Sequence, residues 1–249
     1  MSKSIHLDKI PTQPTDKITK AQAEKETVKL IEKLSVLQNK LYAQKEYAVL
    51  IVLQGMDASG KDGAVKNVFS GVNPAGCNVK SFKAPTDVEK THHFLWRINL
   101  ECPEKGMTKI FNRSHYEDIL VPSVEKYVNE KGIKERMREI NSFEKGLIRN
   151  KTIVMKFYLH VSHNEQLRRL EDRKTDEHKR WKYQQEDIAK IAQHNDYKNV
   201  YDKIFKHCNE EAKWRIIPAD TKWYKNYKIL KTIVETLEEY KIDYPEVKL

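Results

Sequence analysis

Long apolar runs are missing from this chain. Its longest aliphatic stretch, Ala48–Leu53, falls far short of the roughly eighteen residues that cross a bilayer. The opening residues MSKSIHLDK have no apolar core of the kind a secretory leader carries. Cysteine is scarce too: Cys77, Cys102 and Cys208 lie far apart, with no CxxC pair and no histidine pair at metal-ligand spacing. That argues against a disulfide framework or a zinc centre and makes a reducing cytoplasm the natural compartment. A basic tail is missing as well. The net charge is +10, from 46 Lys and Arg against 36 Asp and Glu. The excess is spread thinly: residues 1–60 hold 9 basic against 7 acidic, 61–100 hold 6 against 3, and 191–249 hold 11 against 10. A nucleic-acid arm concentrates its charge, so the expectation is an anionic partner but neither nucleic acid nor membrane.

What is present is the patterning of one α/β domain. With 249 residues, 39% of them apolar, the chain can bury one sizeable core. Residues 1–18 carry Pro11 and Pro14 among polar residues and read as an irregular arm, leaving 19–249 as a single domain. Val28, Ile31, Leu34, Leu37 and Leu41 recur at helical spacing within Thr19–Tyr47. Ala48–Gln54 (AVLIVLQ) reads as a strand buried on both faces, which implies a parallel sheet covered by helices. Further strands are expected at Asn78–Lys83, Lys109–Phe111, Thr152–His160 and Trp214–Pro218. Helices are expected at Ala64–Ser70, Thr86–Leu100, Lys134–Asn150, Asn164–Arg173, Gln185–Cys208 and Trp223–Tyr240. This alternation predicts a three-layer αβα fold with a mainly parallel sheet of about five strands. The polar stretch 161–208 reads as an insertion suited to a helical lid.

Only eight glycines occur in the chain, and five of them fall in residues 55–76. There the sequence runs Gly55-Met56-Asp57-Ala58-Ser59-Gly60-Lys61-Asp62-Gly63, a GxxxxGK pattern between a buried strand and a helix. Backbone N–H groups of such a loop and the following helix N-terminus cradle phosphate oxygens, while the lysine reaches the outer phosphates. Where Ser or Thr usually holds magnesium, this chain has Asp62, and a second carboxylate, Asp57, sits inside the loop. A carboxylate beside phosphates calls for a cation between them, which makes Asp57 the candidate metal ligand. Asp62 reads as a helix N-cap in preference to a ligand. His115 is read as having a structural or hydrogen-bonding role.

Residues 109–118 (KIFNRSHYED) run from a strand into a polar turn, where P-loop enzymes place a second acidic group. With GMDASGKDG come SFKAPT at 81–86, FLWR at 94–97, FNRSHYED at 111–118, WK at 181–182, IIPAD at 216–220 and Lys222. In this order, and over roughly residues 25–245, the chain resembles the polyphosphate kinase 2 family.

The resemblance implies a P-loop kinase fold with a helical lid. It also implies phosphoryl transfer between inorganic polyphosphate and nucleoside mono- or diphosphates, dependent on Mg²⁺ with Mn²⁺ as an alternative, in a homodimer or homotetramer. By motif match, Asp57 and Lys61 are the loop carboxylate and lysine, with Gly55, Ala58, Ser59, Gly60, Asp62 and Gly63 around the phosphates. Arg113 and Asn112 stand at the second strand's tip. Lys66, Lys83 and Arg97 belong to a surrounding basic pocket, and Arg169, Arg173 and Lys182 to the lid. Many relatives carry Asp where this chain has Asn112, which turns attention to Glu117 and Asp118 as substitutes. His93 stands where relatives often have Asp. The rival reading within the class is an ATP-dependent nucleoside or nucleotide monophosphate kinase; whether AMP, ADP or both are acceptors stays open.

Overall fold

A computed structural model describes residues 5–178, 180–183 and 191–246, without the side chain of Lys182. The buried stretch AVLIVLQ forms β1 (Ala48–Gln54), with every residue shielded. It pairs in parallel with β3 (Thr108–Asn112) on one side and β4 (Thr152–His160) on the other. Beyond these lie β2 (Cys77–Ser81) and β5 (Trp214–Pro218), giving the order β2-β3-β1-β4-β5, all parallel. The expected bounds of β1, β4 and β5 hold residue for residue, and helices cover both sides of the sheet. The chain moves from β1 to one flank and then crosses to the other. The carboxyl ends of β1 and β3 therefore meet at a switch point, where open parallel sheets bind ligands.

The first helix, α1 (Lys20–Gln44), begins at a capping box in which the Thr19 side chain accepts from the Gln22 backbone N–H. Its inward face is Ala23, Leu30, Leu34, Gln38 and Leu41, whereas Val28, expected inside, is exposed. The face turned inward is the one that docks along α9 (Lys222–Glu238), the last helix of the chain. Between β1 and β2 runs α2 (Lys61–Val68). The single helix expected over 86–100 is instead two short ones, α3 (Asp87–Thr91) and α4 (Trp96–Asn99). The chain leaves α3 at His92 with extended backbone.

A helix not foreseen in the sequence, α5 (Glu117–Val124), follows β3 and contains Pro122. Proline takes away the N–H that would bond the Asp118 carbonyl. Arg136, on α6 (Glu130–Arg149), donates its Nη1 to that carbonyl at 2.7 Å. After β4 come α7 (His163–Thr175), a short 3₁₀ turn over Arg180–Lys182 and α8 (His194–His207). The expected helix Gln185–Cys208 thus matches α8 at its C-terminal end, and residues 184–190 lie outside the described residues. The N-terminal arm carries a 3₁₀ turn at Leu7–Lys9. Leu7 is buried, and its N–H donates to Asp202 of α8 at 3.0 Å. Thr12 hydrogen-bonds the Asp220 carboxylate at 2.7 Å, and the same carboxylate accepts from the Ser162 N–H at the start of α7.

Candidate active site

The loop after β1 turns on two left-handed residues, Ala58 (φ 61°) and Gly60 (φ 91°). Gly60 is the N-cap of α2, so Asp62 lies in the first helical turn and is not the cap expected from sequence. Its carboxylate accepts instead from Asn112 Nδ2 at 2.9 Å, joining the phosphate loop to the tip of β3. Lys61 curls back over its own loop, donating Nζ to the carbonyls of Gly55 (2.7 Å) and Met56 (3.1 Å). Burial, then the nearby Arg113 guanidinium, pushes this ammonium down to about 8; Asp57, Glu117 and Asp62 pull the other way.

At the tip of β3 the backbone swings into a left-handed turn at Arg113 (φ 63°), whose N–H bonds the Leu53 carbonyl of β1. That turn aims the guanidinium across the switch point, and Nη2 meets Asp57 Oδ1 at 2.6 Å. Glu117 opens α5 on the same side and accepts from Gln54 Nε2 at 3.2 Å. Asp57, Arg113 and Glu117 share a small chamber with Gln166, Tyr197 and Tyr201 under α7 and α8. Asp118 points elsewhere: Arg97 Nη2 holds it at 3.3 Å, and burial raises its pKa although Arg97 pulls it down. Of the two acids considered to stand in for Asn112, Glu117 is the one beside Asp57.

These residues open into one cleft of about 1810 Å³. That exceeds the roughly 300–1,000 Å³ of a pocket for one small ligand. Its two ends differ. Toward α7 and α9 the walls carry Arg169, Arg173, Lys222 and Lys225 against one acid, Asp172; toward α5 and α6 they carry Glu125, Glu135 and Glu139 against one cation, Arg136, with Phe94 and Tyr127. His93 stands at the second end and hydrogen-bonds Glu139 through Nε2 at 2.9 Å. Of the expected phosphate-pocket residues, Ala58, Gly60, Asp62, Gly63, Lys83 and Arg97 line the cleft. Gly55 lines the small chamber and Ser59 is buried beneath the loop. Lys66 sits in the last turn of α2, exposed and outside the lining. Arg97 is 7% exposed and braces the wall through the Lys83 carbonyl at 2.8 Å.

The lid residues separate. Arg173 lines the cleft, and the Lys182 side chain lies outside the described residues. Arg169 also borders the cleft but is buried, its guanidinium turned to backbone carbonyls. Its Nε bonds Glu165 at 2.7 Å, Nη1 the Ala58 carbonyl at 2.9 Å, and Nη2 the carbonyls of Ala219 (2.7 Å) and Asp220 (2.9 Å). Two further features escaped the sequence reading. One is Lys225, buried on α9 with Nζ 2.7 Å from the Gly60 carbonyl. The other is a fully buried cluster beneath the β3 tip. There Glu144 receives Lys156 Nζ (2.7 Å) and Tyr116 Oη (2.8 Å), and His115 Nε2 lies 3.2 Å away. Burial pushes the Glu144 carboxyl up, but Lys156 and His115 outweigh it and leave it below its usual range. His115 thus has a structural setting, away from solvent.

A strand–loop–helix phosphate cradle at the switch point of a five-stranded parallel sheet defines a P-loop phosphotransferase architecture. Within that class, residues 17–245 match the family model for polyphosphate kinase 2, and the chain belongs to that family. It is 42% identical over 215 residues to the AMP/ADP-polyphosphate phosphotransferase of Meiothermus ruber, covering 86% of this chain and 80% of that one. It is 38% identical to the ADP-polyphosphate phosphotransferase of Rhodopseudomonas palustris, covering 87% and 79%. Its structure superposes on polyphosphate kinase 2 from Arthrobacter aurescens TC1 with a TM-score of 0.96 at 33% identity, over 100% of this chain and 90% of that one.

Proposed function

We propose that this chain transfers phosphoryl groups between inorganic polyphosphate and a nucleoside mono- or diphosphate, working in the cytoplasm as a homo-oligomer. The observation that carries the reading is one cleft, too large for a single nucleotide, in which Lys61, Arg113 and Asp57 converge while the two ends differ in charge. Related proteins named for AMP, ADP and GDP as partners of polyphosphate support it over an ATP-dependent nucleoside kinase. The basic end at α7 and α9 suits the polyphosphate chain. The acidic and aromatic end at α5 and α6 suits a nucleoside.

The chemical problem is repulsion between two polyanions. Lys61 leaves the carbonyls of Gly55 and Met56 for the outer phosphates, and Arg113 spans donor and acceptor oxygens. Both stabilise charge on the transferred group, and no base is needed. The donor set fits a hard divalent cation: Asp57 and Glu117 offer carboxylate oxygens on one side of the loop. No group of three or more acidic, cysteine or histidine residues suited to a metal occurs among the described residues. That suits Mg²⁺, which takes one or two carboxylates and completes its shell with water and substrate phosphates. When bound, it neutralises phosphate charge. A direct assay mixes the protein with Mg²⁺, long-chain polyphosphate and AMP or ADP and follows the nucleotides formed. No product from either acceptor, with ATP-dependent phosphorylation of a nucleoside instead, would sink the reading.

A further inference from the structure

The phosphate loop is held by its carbonyls. Of the six carbonyls from Gly55 to Gly60, five accept side-chain donors. Lys61 itself takes those of Gly55 and Met56. The other three are reached from distant elements: Asp57 O by Gln166 Nε2 at 2.8 Å, Ala58 O by Arg169 Nη1 at 2.9 Å, and Gly60 O by Lys225 Nζ at 2.7 Å. A planar trans peptide points its carbonyl and the following N–H in opposite directions. The Asp57 carbonyl, held by Gln166, thus sets the opposite direction of the Ala58 N–H; the Gly60 carbonyl accepts from the Ala64 N–H at 3.0 Å in the first turn of α2, and Lys225 adds a second donor that fixes the peptide of Lys61. Ala58 and Lys61 both line the cleft.

We propose that Lys225 is a positioning residue of the phosphoryl-transfer site, acting with Gln166 and Arg169 as a clamp that fixes the loop's N–H groups before phosphate arrives. This deepens the function proposed above and rests on it. Two observations single out Lys225. A Cβ built on Gly60 would stand 2.6 Å from Lys225 Nζ, which shows how closely the ammonium approaches the loop backbone. Lys225 is also 2% exposed and its ammonium lies among like charges, a costly placement unless an anion is to be served. Facing it are Arg169 from α7, Lys222 from its own helix, and Lys61 and Asp62 from α2. Burial first, then the three cations, pushes it down to about 7.

The test compares wild type with Lys225→Met and Lys225→Arg. Amide hydrogen exchange in the ligand-free protein, and calorimetric binding of inorganic triphosphate with Mg²⁺, are the readouts. Lys225→Met should speed exchange at residues 56–61 about tenfold while β1 stays protected, and should weaken triphosphate about tenfold. Its kcat should fall more than KM for the nucleotide rises. Lys225→Arg should recover most of the affinity. If Lys225→Met fails to fold, Gln166→Leu removes a second member of the clamp and should loosen the same amides. Unchanged loop exchange and unchanged triphosphate affinity in the variants overturn the clamp. Wild type that neither binds triphosphate nor transfers from polyphosphate overturns the function beneath it, and the exchange result still judges the loop.

Discussion

Burial lowers the pKa of Lys61 to about 8, and that gives phosphate binding a pH signature. A phosphate oxygen accepting from Nζ favours the charged amine, so the pKa in the complex lies above the free value of about 8. The Lys61 share of the affinity for inorganic triphosphate is then fully present below pH 8. It falls as pH rises through 8 toward the pKa of the complex, and protons are taken up on binding in that window. Lys225, lower at about 7, adds a second uptake nearer neutrality. Calorimetry in buffers of different ionisation enthalpy should show both in wild type. Lys61→Arg should keep only the lower one, and an equal uptake at pH 8 in that variant would remove Lys61 from the linkage. Lys61→Ala should cost roughly 10²–10³ in kcat, the usual loss for one preorganised donor. The spacing of GMDASGKDG was enough to mark Lys61 and Asp57. It could not show that Asp62 bonds Asn112, nor that Gln166 and Lys225 reach the loop from 109 and 165 residues away. Those contacts are made by the fold.

Among the elements, the strands buried on both faces were the readable ones, because continuous apolar runs such as AVLIVLQ and TIVMKFYLH leave little freedom for another assignment. The helix α5 was hidden because Pro122 argues against a helix, and only the structure shows Arg136 supplying the missing donor. The ends of the 86–100 segment are helical, but its middle follows the packing of His92 on Trp96, rings stacked at 4.1 Å, which periodicity does not encode. The Glu144–Lys156 pair bolts α6 to β4 directly under the Arg113 turn. Lys156→Met strands a buried carboxylate and should cost about 3–5 kcal/mol in urea unfolding. Removing both charges, as in Lys156→Met with Glu144→Leu, should recover much of that loss. A double variant no more stable than the single one would mean that Tyr116 and His115, not the ion pair, carry the cluster's contribution.

For the whole molecule, the +10 charge becomes functional only after folding, which brings Lys61, Arg113, Arg173 and Lys222 from four separate segments to one wall of the cleft. No helix among the described residues is long and apolar enough to span a membrane, and the partner proposed for these cations is polyphosphate. Polyphosphate carries a charge on every unit and a condensed counterion cloud. Each unit neutralised by a lysine or arginine releases counterions, much as for single-stranded nucleic acid. With four cations engaged, log affinity for long-chain polyphosphate should fall with log salt at a slope of about −3. ADP, with two phosphates, engages fewer of them and should give a shallower slope. Lys222→Glu should flatten the polyphosphate slope and leave the ADP slope nearly as it was, because Lys222 lies at the basic end of the cleft and not beside the walls proposed for the nucleoside. Dissociation constants measured across a KCl series decide it: equal slopes for the two ligands in wild type would mean that polyphosphate is gripped only at its terminal units, and the basic end would then lose its assignment as the polyphosphate track.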